Sequence, residues 1–115
     1  MPTLAELQAK IIALRDARDW KQFHNPKDLA ISLVLEATEV LEHFQWKSPA
    51  EMDEHVVKEK SAIGAELADT LYMILLMSHD LDIDILAALE AKLKSTEEKY
   101  PVEKSKGRHT KYDKL

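Results

Sequence analysis

Ala62-Ile63-Gly64-Ala65-Glu66-Leu67-Ala68-Asp69-Thr70-Leu71-Tyr72-Met73-Ile74-Leu75-Leu76-Met77-Ser78 contains two charged residues, Glu66 and Asp69, in a run otherwise of Ala, Ile, Leu, Met, Tyr, Gly, Thr and Ser. A helix that is apolar on nearly every side is covered on nearly every side. The few helices of one subunit can hardly cover it, so this stretch predicts an all-α bundle whose interface with further copies includes this helix. Helix two shows the same pattern: Leu29 to Leu41 carries no charge except Glu36 and Glu39, and Glu36 interrupts the stripe that Leu33 and Val40 define. No Lys or Arg lies between Lys27 and Lys47, or between Lys60 and Lys92, so neither pair of acids has a base within its own helix.

The rest of the sequence agrees with helices. The chain has 115 residues, 2 Gly, 4 Pro and no Cys, a length suited to one domain with a real core. Thr3 with Glu6 makes a capping box, and Leu4, Leu7, Ile11 and Leu14 recur on one face, predicting a helix over 4–18. Asn25-Pro26 opens a second helix over 26–45, and Ser48-Pro49 a separate polar piece over 49–60. A third long helix spans 61–79. Asp82 is the expected cap of a fourth over 82–99, with Ile85, Leu86, Leu89 and Leu93 inward, until Tyr100-Pro101 stops it. The expected architecture is a four-to-five-helix antiparallel bundle, a single domain over 1–115 ending in an aperiodic basic tail over 101–115.

Charge and composition exclude several functions. Residues 1–100 carry 19 acids and 11 bases, net −8, whereas 101–115 carry 2 acids and 5 bases, net +3. An acidic body lacks the basic face that a nucleic-acid polymer requires. No uninterrupted apolar run of membrane-spanning length and no basic-then-apolar leader is visible, so a cytoplasmic protein without a membrane partner is expected. Without Cys there are no disulfides, thiolate metal sites or cysteine nucleophiles. His43, His55, His79 and His109 have no metal-ligand spacing.

A carboxylate is costly to bury unpaired, so something positive is expected beside these acids. Residues three apart share a helix face. If helices two and three run antiparallel, Glu36 and Glu39 face Glu66 and Asp69, and four oxygen donors without His or Cys suit Mg²⁺, with Mn²⁺ as substitute. Basic residues reaching in from the tail are the plainer explanation. A non-catalytic oligomeric helical module would use them so, while a di-iron bundle needs a Glu-x-x-His that is missing here.

Glu36-Ala37-Thr38-Glu39 followed by Glu66-Leu67-Ala68-Asp69 resembles the ExxE…ExxD signature of the all-α, MazG-like nucleoside triphosphate pyrophosphohydrolases. Arg18-Asp19-Trp20-Lys21-Gln22-Phe23-His24, Phe44-Gln45-Trp46 and Tyr100-Pro101-Val102 are similar to the small dCTP pyrophosphatase branch. The resemblance spans about residues 4–115. It implies a homo-oligomer, commonly a tetramer, that hydrolyses a (deoxy)nucleoside triphosphate such as dCTP to the monophosphate and pyrophosphate. Glu36, Glu39, Glu66 and Asp69 would be the Mg²⁺ ligands and catalytic acids. Trp20 and Trp46 would stack on the base, and Lys21, Gln22, Phe23 and His24 would form a substrate loop. Tyr72, Met73 and Lys92 would stand near the substrate, while Arg108 and Lys111 of the tail would contact phosphates. Three positions depart from the branch: Ile11 aligns with its helix-one His, Met73 with its Tyr, and Thr96 with its Asn. All three bear on base or sugar recognition, so reaction type is read more firmly than substrate.

Overall fold

A computed structural model describes residues 1–115, and it is entirely helical and turn. The chain divides into two compact units, Met1–Asp82 and Ile83–Leu115. The first comprises α1 (Leu4–Ala17), a 3₁₀ turn (Lys21–Phe23), α2 (Pro26–Glu42), α3 (Pro49–Lys58) and α4 (Lys60–Asp80). Local chemistry fixes the helix starts. The Thr3 hydroxyl accepts from the Glu6 amide, the Asn25 side chain accepts from the Asp28 amide with Pro26 in the first turn, and Ser48 with Glu51 forms a reciprocal capping box. The piece expected over 49–60 is thus a helix of its own, though it ends at Lys58 and Lys60 already opens α4.

Helix ends are less conventional. The residue after a helix is usually a left-handed glycine, and this chain has few. Asp19 (φ 54°), Trp46 (φ 68°) and Asp82 (φ 54°) take that conformation instead. Asp adopts it readily, whereas for Trp it is strained. These turns correct two expected boundaries. Helix α2 stops at Glu42, where the Phe44 amide turns back to the Leu41 carbonyl at 2.9 Å. Asp82 makes the turn rather than the cap, and Asp84 caps the next helix by accepting from the Ala87 amide at 3.1 Å.

Helix α4 is the element on which α1, α2 and α3 pack. Against the sequence expectation, it is long and apolar enough to cross a membrane by length and composition alone. The three carboxylates in it, Glu66, Asp69 and Asp80, and the three helices against it fit a core helix instead. Yet the core is small: Leu29, Leu75 and Leu76 are the buried apolar side chains, while Leu67, Leu71, Val34 and Leu35 remain exposed.

The second unit holds α5 (Ile85–Lys99), α6 (Val102–Ser105) and a 3₁₀ turn (Tyr112–Lys114). Leu86, Leu89 and Leu93 of α5 are exposed, contrary to the inward stripe expected of them. The tail is more regular than its composition suggests. Gly107 (φ 76°) reverses the chain, the Tyr112 amide donates to the Tyr100 hydroxyl at 3.1 Å, and the two rings meet edge to face at 6.0 Å. The Lys99 ammonium lies 4.7 Å over the Tyr112 ring.

Because Leu76 is 3% exposed where α4 meets its neighbours, Leu76→Ala is expected to cost about 2–5 kcal/mol of stability. Urea unfolding measures it, and a cost below about 1 kcal/mol would contradict this core.

Candidate active site

Helix α2 presents Glu36 and Glu39, and α4 presents Glu66 and Asp69. One carboxylate oxygen from each lies within 4.8 Å of all the others. One turn along, Ser32 and Leu29 line one cleft with Tyr72, Met73 and Leu76, as antiparallel helices require. Glu36 and Glu66 are half-buried, and Glu39 and Asp69 open to solvent. Arg15 makes the ion pairs of this protein, with Asp16 and Asp80, so the four acids are in none.

The consequence appears in their proton affinities. The Glu66 carboxyl is pushed up to about 7, first by the Glu39 carboxylate with which it can share a proton, then by desolvation and by the charges of Glu39, Asp69 and Glu36. Glu36 is also raised, by desolvation and then by Glu39 and Asp69. The Oε2 atom of Glu66 is buried without a hydrogen-bond partner. A proton can satisfy it, and so can a cation. Opposed ligands of octahedral Mg²⁺ stand about 4.2 Å apart, so four oxygens within 4.8 Å of one another fit a hard cation.

A cleft of about 270 Å³ opens one turn from the acids. Trp20, Phe23, His24, Tyr72 and Met73 line it, so five residues expected near a substrate come together. Met73, which stands where the dCTP pyrophosphatase branch has a Tyr, and its neighbour Tyr72 both line this cleft. Trp46 does not join them. It is 91% exposed beyond the far end of α2, whereas Trp20 lies beside Leu29 and Ser32 in the cleft. The cleft that includes Trp20 does not include Trp46. Gln22 donates to the Asp19 carbonyl (3.0 Å) and carboxylate (2.9 Å), holding the turn. Lys21 lines a neighbouring hollow with Asn25, His79 and Asp80. Lys92, Arg108 and Lys111 are exposed residues of the second unit.

The sequence reading missed Arg15, Asp28 and Ser32, which also line the cleft. Arg15 carried the same signal as Glu36. It lies four residues after Ile11 and interrupts the apolar face of α1.

An antiparallel helix pair that brings four carboxylates beside an aromatic cleft defines a class: all-α proteins with a divalent-cation and ligand site. The chain belongs to the MazG-like family, whose profile matches residues 31–115. It is 35% identical to dCTP pyrophosphatase 1 of Rattus norvegicus and 30% identical to that of Homo sapiens, over 99% of this chain and 68% of each relative. Its fold matches the crystal structure of a pyrophosphatase from Archaeoglobus fulgidus at a TM-score of 0.81 and 34% identity, over 88% of this chain and 94% of that one.

Cation binding should displace the proton held by the acid cluster. Affinity for Mn²⁺ is therefore expected to rise from pH 5.5 to pH 7.5 and then level off, because Glu66 loses its proton near pH 7. The stability that the raised Glu66 lends the metal-free protein is full below about pH 4.5 and is lost as pH passes 7. Titration calorimetry at pH 6 in buffers of differing ionisation heat reads the released proton; no release would contradict a shared proton in this site.

Proposed function

We propose that this protein is a divalent-cation-dependent pyrophosphohydrolase of deoxynucleoside triphosphates, dCTP foremost, that yields the monophosphate and pyrophosphate. The observation that carries the reading is the unpaired set Glu36, Glu39, Glu66 and Asp69 one helical turn from an aromatic cleft. Family membership and the dCTP pyrophosphatase relatives supply the reaction. Pool sanitising fits such an activity.

The four acids would hold Mg²⁺, which when bound neutralises the triphosphate and favours departure of pyrophosphate. The residues of the cleft do the rest. Trp20 and Phe23 offer flat faces to a base, and the short step from Tyr72 and Met73 to Asp69 along α4 sets the distance from base to phosphates. Water adds to the α-phosphorus while the bond to the α–β bridging oxygen breaks. A carboxylate not fully engaged with the cation takes the water's proton. Trp46 serves a base only from another copy, in keeping with its place outside the cleft that includes Trp20. The exposed Leu67, Leu71, Val34 and Leu35 favour a homo-oligomer, a tetramer being the form proposed, in the cytoplasm.

Incubation with each dNTP and Mg²⁺, followed by assay of pyrophosphate, tests this directly, with dCTP the substrate expected to turn over fastest. Glu39→Gln and Asp69→Asn are each expected to lower kcat by about 10²–10⁴-fold with the helical circular-dichroism spectrum unchanged. No pyrophosphate from any nucleotide would overturn the assignment.

A further inference from the structure

Arg15 is 1% exposed, the most completely buried large side chain of the protein. Its Nη1 and Nη2 donate to the two carboxylate oxygens of Asp80 at 2.7 and 2.8 Å, joining α1 to the end of α4 across 65 residues of sequence. The pairing holds the Arg15 guanidinium further into its charged form and the Asp80 carboxyl below its ordinary range. A bidentate pair fixes the plane of the guanidinium. It also fixes where the remaining N–H bonds point. Nη1 also stands 3.3 Å from Nδ1 of His24, whereas Nε is buried with no hydrogen-bond partner and has the Asp16 carboxylate at 3.9 Å.

Arginine carries donors and no acceptor. His24 Nδ1 must therefore accept, so the neutral ring bears its proton on Nε2. A ring turned or protonated the other way would set two donors face to face. His24 lines the aromatic cleft, and with Nδ1 engaged its free nitrogen is a donor. Arg15 stands in the wall of the same cleft but is 1% exposed, so the half-buried His24 ring is the more open of the two groups.

A purely structural account of the pair is weak. Buried ion pairs are commonly replaced by apolar residues at no cost in stability, and here Arg15 is buried while the Asp80 side chain keeps 17% exposure and Nε makes no hydrogen bond. Its contact with a cleft residue is what an apolar replacement would not supply.

We propose that Arg15 is a positioning residue for the cleft: clamped by Asp80, it holds His24 in the Nε2–H form, so that the cleft offers one fixed hydrogen-bond donor to an acceptor atom of the bound nucleotide. This rests on the nucleotide reading above, but its structural half can be measured without any nucleotide.

The test combines NMR of the full ¹⁵N-labelled chain at pH 8 with steady-state kinetics on dCTP and Mg²⁺. A correlation through the hydrogen bond from Arg15 Nη1–H to an unprotonated His24 Nδ1 is expected. Arg15→Met/Asp80→Leu removes both charges together, leaving neither buried alone. It is expected to lose that correlation, relax the tautomer and raise KM about tenfold with kcat changed less than about threefold. Asp80→Glu keeps Arg15 and a carboxylate with two acceptor oxygens for it, and should leave both signals near those of the unsubstituted chain. A proton on Nδ1 in the unsubstituted chain, or a folded double variant with unchanged Nδ1 resonance and KM, overturns the proposal. If the double variant does not fold, the unsubstituted chain's correlation decides. Failure of the enzymatic reading looks different, since no variant then turns over while the Nδ1 result still stands.

Discussion

Two antiparallel helices, α2 and α4, must share a seam in which each contributes a pair of carboxylates and neither contributes a base. Everything else about the site follows from that juxtaposition. Like charges a few ångströms apart in a partly desolvated seam cannot all stay ionised, so Glu66 holds its proton up to about pH 7. The Oε2 atom without a partner shows the same deficit geometrically. Proton, cation and cation-bound phosphate are successive answers to one electrostatic demand, and only the last two leave the carboxylates free to accept a proton from water.

The seam also sets the dimensions of the ligand site. With α2 and α4 antiparallel, the residues one turn away from the acids, Ser32 on one helix and Tyr72 and Met73 on the other, open the aromatic cleft. A rise of 1.5 Å per residue places cleft and acids about 5–6 Å apart. That is the scale on which a nucleotide carries its sugar and α-phosphate beyond its base. The 3₁₀ turn Lys21–Phe23 closes the cleft from a third side, and Arg15 ties that turn's His24 to the end of α4. Charge chemistry and aromatic chemistry thus rest on one frame.

What could be read from the sequence divides along a physical line. Helix starts depend on three or four consecutive residues, so Thr3, Asn25 and Ser48 announced them correctly. The acid cluster was equally legible, since charges that break an apolar period need a reason wherever they occur. Helix ends were less so, because Asp19, Trp46 and Asp82 adopt the left-handed turn in place of glycine, and nothing local separates Asp82 as a turn from Asp84 as a cap. The inward face assigned to Leu86, Leu89 and Leu93 failed for another reason. Periodicity reports that a face needs cover and is silent on what provides it. The bond from Arg15 to Asp80 spans 65 residues, a distance over which no pattern in a single sequence gives notice.

The small core connects stability with function. Leu29, Leu75 and Leu76 are buried while Leu67, Leu71, Val34 and Leu35 stay open, so one chain removes little of its apolar surface from water. A folded domain is ordinarily stable by only roughly 5–15 kcal/mol, the small difference between apolar burial and lost chain entropy, and repulsion within the acid cluster draws on that margin from inside. A further copy covering the exposed apolar residues and a cation among the acids would relieve different deficits of the same helix pair, α2 and α4. Anything that binds the folded state alone stabilises it by mass action. A second copy and a cation would therefore each add to the stability of the frame that α2 and α4 form.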